Sequence, residues 1–332
     1  MTPLPSLRLV CLSTEAVLLT ALNDALPQAP GGPCAIRLDV TDPAAPDADL
    51  LARADGILCD TLPDAVRVAA PNVRWIQLWQ SDGEDAAALA RAGAGRVAVC
   101  TASGVHASAC AEHVLALLLA FARGLPAAFA VRQNRDWHAA RTQILPALFD
   151  LEGKTVGIVG AGAVGQAVGA RCQAFGMRTV GVRRDVTRPT PGVDMLLPHL
   201  RYHDLILASD IVVLALPLSP DTRLMFGEDE LEIMRKSAYV INVGRGGLVD
   251  ETWLARALRN RWIAGAGLDV FADEPLPPHS PFWNLPNCIL TPHVAGQSPL
   301  FWPRFARFAA AQAERLLRGE PLHNRVDPRR GY

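Results

Sequence analysis

The sequence predicts an α/β protein built from two doubly wound parallel sheets, and three observations support that prediction. Short apolar runs of strand length recur along the 332-residue chain, and alanine-rich stretches of helical length separate them. Strands that alternate with helices form parallel sheets, because each crossover helix returns the chain and covers a face of the sheet. The alternation occurs in two series, separated by a long apolar stretch at 107–123 that we expect to form one helix.

The first series occupies the N-terminal part of the chain. Helical patterns such as 15–26 and 85–92 alternate there with four predicted strands, at 7–12, 56–59, 75–78 and 97–100. The first of these strands follows an early pair of prolines, and no basic segment leads into a continuous apolar core. The N-terminus therefore does not resemble a secretory signal.

The second series begins after a polar segment at 132–144. Its six predicted strands are 155–159, 178–182, 210–214, 238–243, 265–270 and 288–290. An amphipathic helix at 302–317 follows, and it lies in the last segment of the chain, from 298 onward. A cleft between the two sheets is the expected ligand site, because ligands bind outside the carboxyl ends of parallel strands and between domains.

Composition argues against several classes of function. Hydrophobic residues make up 50% of the chain and the formal net charge is -1, so neither disorder nor a bulk attraction to nucleic acid or anionic membrane is expected. The longest apolar run, 114–122, is too short to span a bilayer, which needs about 20 residues. Seven cysteines without CxxC or Cys/His clustering indicate reduced structural thiols and no metal site. We therefore expect a soluble, cytoplasmic protein.

One glycine-rich segment has the pattern of a dinucleotide-binding turn. The residues GAGAVG follow the apolar run TVGIV and open the helical stretch QAVGARCQAF. In such a turn Gly160 permits the tight bend, Gly162 lets the backbone approach a pyrophosphate, and Gly165 allows the helix to pack closely on the strand. The helix N-terminus, with Ala163 and Val164, favours the anion. An ordinary strand-to-helix turn is the alternative interpretation, and the flanking strand and helix favour the dinucleotide.

The end of the next strand bears on which dinucleotide is expected. Arg183 and Arg184 stand where NAD-binding domains carry an Asp or Glu, about 20 residues beyond the glycines, that accepts hydrogen bonds from the ribose 2′-hydroxyl. A carboxylate would repel a 2′-phosphate, whereas a guanidinium binds one bidentately. The chain has 30 Arg against 2 Lys, so the pair also has a purely compositional explanation, and Asp185 follows. The missing carboxylate favours NADP over NAD.

Three side chains of complementary chemistry follow three strands of the second series. Arg245 follows AYVINV, Glu274 follows GAGLDVF, and His293 follows NCILTP. An arginine can bind a carboxylate and polarise a carbonyl, a histidine can exchange a proton, and a glutamate can orient the imidazole and stabilise its charged form. Each of them alone also has a structural interpretation. Their common position at strand ends favours a catalytic set without a metal.

Five segments in fixed order, GAGAVG, ALPLSPDTRLMFG, AYVINVGRGGLVDETWLARAL, GLDVFADEPLP and TPHVAG, resemble the D-isomer-specific 2-hydroxyacid dehydrogenase family. A looser likeness extends over nearly the whole chain. The resemblance implies a Rossmann-type dinucleotide domain and a flavodoxin-like substrate domain. It also implies NAD(P)-dependent hydride transfer between nicotinamide and C2 of a small 2-keto or D-2-hydroxy acid, with a glyoxylate or hydroxypyruvate reductase as the expected type.

The resemblance also implies roles for individual residues. Arg245, Glu274 and His293 match the catalytic arginine, glutamate and histidine, and His293 also lies beside the cofactor. Further cofactor contacts fall on Leu216, Pro217, Thr222, Val243, Gly244 and Asp269. Among them, Asp269 is expected to hold the nicotinamide carboxamide. The substrate is expected against Arg245, His293 and the loop QSDGED, which contains Asp82 and Gly83. The family usually has a small apolar residue in place of Asp82, which leaves the size and charge of the substrate open.

Family likeness implies a discontinuous substrate domain, residues 1–101 with 298–332, around an NAD(P)-binding domain of residues 102–297. It implies a homodimer in which the segment around Trp137 reaches the partner. The pocket could further involve Trp75, Trp79, Gln80 and His106, each of which could equally belong to the core or the rim.

Other functions stay open at this point. A non-enzymatic NAD(H)-sensing protein, like certain transcriptional corepressors, can keep the fold and all three residues. A phosphoglycerate dehydrogenase is possible within the main class. Formate or phosphite dehydrogenases are also related, but formate enzymes generally pair the histidine with glutamine, so Glu274 speaks against that substrate.

Overall fold

A computed structural model describes residues 6–26, 35–80, 84–92, 96–131 and 135–328. The chain divides into two compact units. The first unit comprises Met1–Val105 with Ser298–Tyr332, and the second comprises His106–Gln297. Each unit contains a parallel sheet flanked by helices, so the predicted α/β class with two sheets is confirmed.

The first unit contains a five-stranded sheet in the order β2-β1-β3-β4-β5. These strands are β1 (Ser6–Leu12), β2 (Ala35–Thr41), β3 (Gly56–Cys59), β4 (Trp75–Leu78) and β5 (Ala98–Cys100). All four pairings are parallel. The connecting helices are α1 (Ala16–Ala25), α2 (Ala48–Ala52), α3 (Asp64–Ala69) and α4 (Glu84–Ala92). The last helix of the chain, Phe301–Leu317, returns to this unit and packs on α1.

The second unit contains a seven-stranded parallel sheet. Its strands are β6 (Thr155–Val159), β7 (Arg178–Arg183), β8 (Met195–Pro198), β9 (Ile211–Leu214), β10 (Tyr239–Asn242), β11 (Gly265–Leu268) and β12 (Cys288–Leu290). Their order is β12-β11-β10-β9-β6-β7-β8. The chain reverses direction across the sheet between β6 and β9, which is the point where ligands bind in open α/β sheets.

Seven α-helices lie in the described part of the second unit. They are α5 (Ala107–Ala122), α6 (Leu125–Val131), α7 (Trp137–Ile144), α8 (Ala163–Ala174), α9 (Tyr202–Ala208), α10 (Glu228–Ile233) and α11 (Glu251–Arg259). The helix α5 packs along α8 and buries one broad apolar face, while Glu112 and Ala116 on its other side are exposed. Within the described residues, no single helix is both long and apolar enough to cross a membrane. Only α5 and α6 taken together, bent by 61°, reach that length and composition.

The sequence pattern did not predict two strands, β2 and β8, and each of them lies at an edge of its sheet. The strand β2, AIRLDVT, alternates apolar and polar residues, and β8, MLLP, is short and ends in proline. Central strands such as β9, IVVL, are buried on both faces and therefore read as continuous apolar runs. The apolar-run criterion predicted every central strand and two of the four edge strands, β5 and β12, and it missed the other two.

The cysteines in the described part of the chain are packing residues with free thiols. Six cysteines there are free thiols, and five of them are buried. Burial raises the pKa of Cys110 and of Cys172 to about 12, so these thiols stay protonated. Across the same residues, no group of three or more His, Cys, Asp or Glu side chains is arranged to hold a metal ion.

Candidate active site

The carboxyl ends of the second sheet bring together most of the residues predicted to bind and react. The seven strands are parallel, so the segments that follow them lie along one edge. From β12 across to β7, these segments carry in order His293, Asp269 with Glu274, Arg245, Leu216, Gly160 and Arg184.

The glycine turn between β6 and α8 has the backbone geometry that a dinucleotide requires. Gly160 has a φ of 104°, and a Cβ there would lie 2.6 Å from the carbonyl oxygen of Ala215. A Cβ on Gly165 would collide with the carbonyl oxygen of Gly160. A Cβ on Gly162, the N-cap of α8, would meet nothing within 4 Å. That open space, beside the N–H groups that begin α8, fits the pyrophosphate of a dinucleotide.

Two further strand ends lie against the glycine turn. A Cβ on Gly160 would come within 2.9 Å of the Leu216 side chain, and a Cβ on Gly244 within 2.8 Å of the Leu216 carbonyl oxygen. The loop after β9 is closed by Thr222, whose hydroxyl donates to the Pro217 carbonyl at 2.8 Å. The structure thus brings together the predicted cofactor residues Gly160, Leu216, Pro217, Thr222, Val243 and Gly244.

The segment after β7 is polar and largely exposed. Arg183 Nη1 donates to Thr190 Oγ1 at 3.1 Å, and Arg184 Nη2 forms an ion pair with Asp221 Oδ2 at 3.0 Å. The Arg184–Asp221 pair is exposed, and exposed pairs of this kind contribute little stability.

Asp185 does not take the place of the missing ribose-binding carboxylate in this conformation. Its Oδ1 accepts the hydroxyl of Thr187 at 2.6 Å and the Thr187 N–H at 3.0 Å, and these hydrogen bonds lower the pKa of Asp185. Its Oδ2 pairs with Arg188 at 2.9 Å. The carboxylate is thus turned toward its own loop.

Arg245 follows β10 in a tightly packed turn. The side-chain nitrogen of Asn242, a buried residue, donates to the Arg245 carbonyl at 3.0 Å, and its oxygen accepts the Gly244 N–H at 3.1 Å. Arg245 Nη1 donates to the Gly244 carbonyl at 2.7 Å. A Cβ on Gly246 would collide with the backbone of Phe271, so this turn and the loop after β11 are in direct backbone contact.

Glu274 and His293 form a hydrogen-bonded pair. His293 Nδ1 lies 2.7 Å from Glu274 Oε2, while Glu274 Oε1 accepts the Phe271 N–H at 2.9 Å. Because an ionised carboxylate only accepts hydrogen bonds, Nδ1 carries the proton in this pair. The Nε2 atom of the imidazole is then the position that can give or take a proton. The His293 side chain is 48% exposed, so a ligand can reach it.

Asp269 lies at the end of β11, and its side chain is 1% exposed. Its Oδ1 accepts the Thr291 hydroxyl at 2.6 Å and the Val294 N–H at 2.9 Å, and its Oδ2 accepts the Ala295 N–H at 2.8 Å. These partners belong to the loop that carries His293. The predicted contact of Asp269 with a nicotinamide carboxamide stays a prediction.

A family of known proteins matches most of the second unit. The model of the family "D-isomer specific 2-hydroxyacid dehydrogenase, NAD binding domain" matches residues 115–295, which is more than half of the chain. The chain belongs to the D-isomer specific 2-hydroxyacid dehydrogenases. It is 35% identical over 274 residues to a glyoxylate reductase of Korarchaeum cryptofilum, covering 82% of this chain and 81% of that protein.

Two solved structures resemble this dehydrogenase over nearly its full length. A D-isomer specific 2-hydroxyacid dehydrogenase from Xanthobacter autotrophicus Py2, in complex with NADPH and MES, has a TM-score of 0.81 at 28% identity and covers 98% of this chain and 99% of its own. An NADPH-dependent glyoxylate/hydroxypyruvate reductase from Sinorhizobium meliloti, in complex with NADP and sulfate, has a TM-score of 0.78 at 25% identity, covering 99% and 100%.

Some first-unit residues that were predicted to contact the substrate lie outside the described residues, and others are packed in the core. Asp82 and Gly83 lie outside the described residues, so their role stays a prediction. Trp75 is fully buried in the sheet of this dehydrogenase and is a core residue. Trp79 packs edge-on against Trp302 and Phe305, with ring centroids 5.8 and 6.1 Å apart.

The sequence patterns did not predict several polar residues that support the site. Asn242 interrupts an apolar strand end, which is a visible signal for a buried polar contact. Glu251 accepts the Ala272 N–H at 2.6 Å and so holds the loop that carries Glu274. Burial raises the pKa of Glu251, and the nearby carboxylates of Asp273, Asp250 and Glu274 raise it further. The hydrogen bond from the Ala272 N–H acts in the opposite direction and lowers it. No local pattern distinguishes Glu251 from an ordinary first-turn acid of a helix.

Proposed function

We propose that this dehydrogenase reduces a small 2-keto acid to the D-2-hydroxy acid, with glyoxylate or hydroxypyruvate as the substrate and NADPH as the preferred cofactor. One observation carries the proposal: His293 is paired with Glu274 at 2.7 Å on the same sheet edge as Arg245 and the glycine turn. Glyoxylate and hydroxypyruvate are also named in the relatives that this chain resembles.

A bound nicotinamide dinucleotide supplies the hydride that C2 of the 2-keto acid receives. His293 donates its Nε2 proton to the carbonyl oxygen as that oxygen gains charge. Glu274 fixes the imidazole through Nδ1 and stabilises the imidazolium before the proton leaves. Arg245 binds the substrate carboxylate and stabilises negative charge on the carbonyl oxygen. The reverse reaction uses His293 as the base that takes the hydroxyl proton.

We assign the cofactor contacts to the residues gathered around the glycine turn. The N–H groups beside Gly162 and Val164 suit the pyrophosphate, because the N-terminus of α8 and the open space at Gly162 both favour an anion. Backbone groups of Leu216 and Val243 lie on neighbouring strand ends. Asp269 completes the assignment at the nicotinamide end.

The preference for NADPH rests on Arg183 and Arg184. The two guanidinium groups lie at the end of β7, and the carboxylate that follows them in the chain, Asp185, is engaged by Thr187 and Arg188. A 2′-phosphate there would gain charge-assisted hydrogen bonds, whereas a 2′-hydroxyl would gain little. NADH use at lower efficiency is compatible with the same site.

We also propose that the protein is a cytoplasmic homodimer. The helix α7 buries none of its residues within the chain, and Trp137 at its start is 78% exposed, which suits a surface covered by a second copy. The free, buried thiols of the described residues are typical of a reducing compartment. Light scattering at several concentrations tests the dimer, and a monomer at every concentration contradicts it.

The test of function is an activity panel run with NADPH and with NADH. Glyoxylate, hydroxypyruvate, pyruvate, bulkier 2-keto acids and 3-phosphohydroxypyruvate are each offered to the full-length protein. We expect the highest kcat/KM with glyoxylate or hydroxypyruvate and NADPH. Preference for the phosphorylated acid identifies a phosphoglycerate dehydrogenase instead. Dinucleotide binding without turnover of any acid favours the non-enzymatic sensor and rejects the proposed reaction.

A further inference from the structure

A chain of hydrogen bonds joins the long helix α5 to the loop that carries His293. His113 Nε2, on α5, lies 2.9 Å from Thr291 Oγ1, and Thr291 Oγ1 lies 2.6 Å from Asp269 Oδ1. His113 Nε2 is also 3.6 Å from that same Asp269 oxygen. The histidine side chain is 18% exposed and the aspartate side chain 1% exposed, so little water competes for these bonds.

The direction of these hydrogen bonds follows from the donors available. Asp269 as a carboxylate can only accept, so the single hydroxyl proton of Thr291 is donated to it. The Thr291 oxygen is then an acceptor for His113, which must carry a proton on Nε2. The order of donation is therefore His113 to Thr291 to Asp269. A histidine with Nε2 unprotonated would leave its nitrogen facing an oxygen that has no proton to give.

The carboxylate at the end of this chain holds the backbone directly after the proposed proton donor. Asp269 accepts the N–H groups of Val294 and Ala295 at 2.9 and 2.8 Å, and its own carbonyl accepts the His293 N–H at 2.8 Å. His293 has a φ of 52°, a left-handed conformation that is uncommon for a residue with a side chain. That conformation aims the imidazole at Glu274 and is maintained by these bonds.

We propose that His113 and Thr291 are positioning residues that orient His293 through the Asp269 carboxylate. They contact neither substrate nor cofactor in this role. Without the Thr291 hydroxyl, Asp269 loses its closest donor and is free to rotate away from the two backbone N–H groups. Without His113, the Thr291 hydroxyl loses the donor that fixes its oxygen. The proposal rests on the assignment of His293 as the proton donor in the proposed reaction.

The decisive variants are Thr291→Val, which keeps the shape and removes the hydroxyl, and Thr291→Ser, which keeps the hydroxyl. We expect Thr291→Val to lower kcat by about 10- to 100-fold, because small displacements of a reacting group have effects of that order. The KM for the 2-keto acid should change by less than about 2-fold, since the substitution leaves Arg245 in place to bind the substrate carboxylate. Thr291→Ser should recover most of the rate.

His113 has its own matched pair of variants. His113→Gln retains an N–H donor at a similar reach and should keep most of the activity, whereas His113→Leu should lower kcat. The double variant His113→Leu with Thr291→Val should be no slower than Thr291→Val alone, because both act through one chain of bonds. Additive losses in the double variant would contradict a shared path.

A measurement on the protein without substrate or cofactor separates this proposal from the proposed reaction. Amide hydrogen exchange at Val294 and Ala295 should be faster in Thr291→Val than in the wild type, and near the wild-type rate in Thr291→Ser. Faster exchange in a protein that reduces no 2-keto acid would support the positioning chain and reject the reaction. Unchanged exchange with unchanged kcat in Thr291→Val overturns the positioning role, as does a serine variant as impaired as the valine variant.

Discussion

Along the carboxyl edge of the second sheet, one end is held by buried polar partners and the other by exposed ion pairs. At the end formed by β10, β11 and β12, here called the catalytic end, Arg245, Glu274 and His293 lie on loops fixed by buried partners such as Asn242 and Asp269. At the end formed by β7, here called the ribose end, residues 183–190 are held by ion pairs and hydrogen bonds on a mostly exposed surface.

This difference matches what each end is proposed to do. Proton and charge transfer need atoms placed to within fractions of an ångström, and buried, fully bonded loops provide that placement. Recognition of a phosphate needs charge and a few flexible donors, which exposed arginines provide without a rigid frame. We therefore expect substitutions at the catalytic end to change rate and stability, and substitutions at the ribose end to change cofactor preference with only small effects on stability.

Apart from His293, the largest effect is expected at Arg245. Arg245→Ala removes the partner of the substrate carboxylate and of the developing charge, and losses of such groups cost about 10²–10³-fold in rate. Cofactor binding, measured by fluorescence titration with NADPH, should persist. Arg245→Lys is the control that keeps the charge without the bidentate geometry, and it should recover part of the rate. Near-normal kcat in the alanine variant would remove Arg245 from the catalytic set.

A pair of glycine substitutions compares the interlocked loops with the open turn. Gly246→Ala places a Cβ against the Phe271 backbone, and overpacking of this kind costs about 1–3 kcal/mol, so the melting temperature should fall. Gly162→Ala meets no protein atom within 4 Å and should leave the melting temperature unchanged while weakening NADPH binding. Equal melting temperatures for the two variants would show that the loops are not interlocked.

At the ribose end, Arg183→Asp should change the preferred cofactor. Removing a charge-assisted hydrogen bond costs about 1.5–3 kcal/mol, or roughly 10- to 100-fold in the NADPH-to-NADH ratio of kcat/KM. The control is Arg178→Asp, at the opposite end of the same strand. A ratio that is unaltered by Arg183→Asp would assign the arginine pair to the arginine-rich composition of the chain.

The smallest effects concern the pH dependence of stability, which should have opposite signs at the two ends. Burial and neighbouring carboxylates raise the pKa of Glu251, so its ionisation costs stability as the pH rises above its ordinary value of 4.5. Hydrogen bonds from Thr187 lower the pKa of Asp185, so this group adds stability that is present above its ordinary value of 3.8 and lost as the pH falls.

Urea unfolding from about pH 3 to about pH 7 measures both carboxylates. Relative to the wild type, Glu251→Gln should become more stable as the pH rises, and Asp185→Asn should become less stable. The Asp185 change should be the weaker one because that carboxylate is surface-exposed and screened. Parallel slopes for the two variants would contradict the proposed difference in environment.

Features of the fold and site that depend on neighbouring residues in the chain could be predicted from the sequence. Central strands and the glycine turn have local signatures, since apolar runs and GAGAVG are set by burial on both faces and by backbone geometry. The edge strands β2 and β8 have no such run. Arg245, Glu274 and His293 could be predicted to lie along one edge because the ends of parallel strands share it, and the structure has them on that edge.

The supporting residues of the site could not be predicted in the same way. Thr291 and His113 are distant in the chain, and their contact depends on how α5 crosses the sheet of the second unit. Glu251 has the ordinary position of an acid in the first turn of a helix, and only packing against the loop after β11 gives it a partner. Such contacts are properties of tertiary packing and carry no periodicity.

The most direct test of the account is the single-turnover oxidation of bound NADPH by glyoxylate or hydroxypyruvate, in the wild type and in His293→Gln. We expect both proteins to bind NADPH equally well and the variant to oxidise it about 10²–10⁴-fold more slowly, because the positioned acid is gone. Oxidation in His293→Gln at the wild-type rate, or none in the wild type with any 2-keto acid, would contradict this expectation.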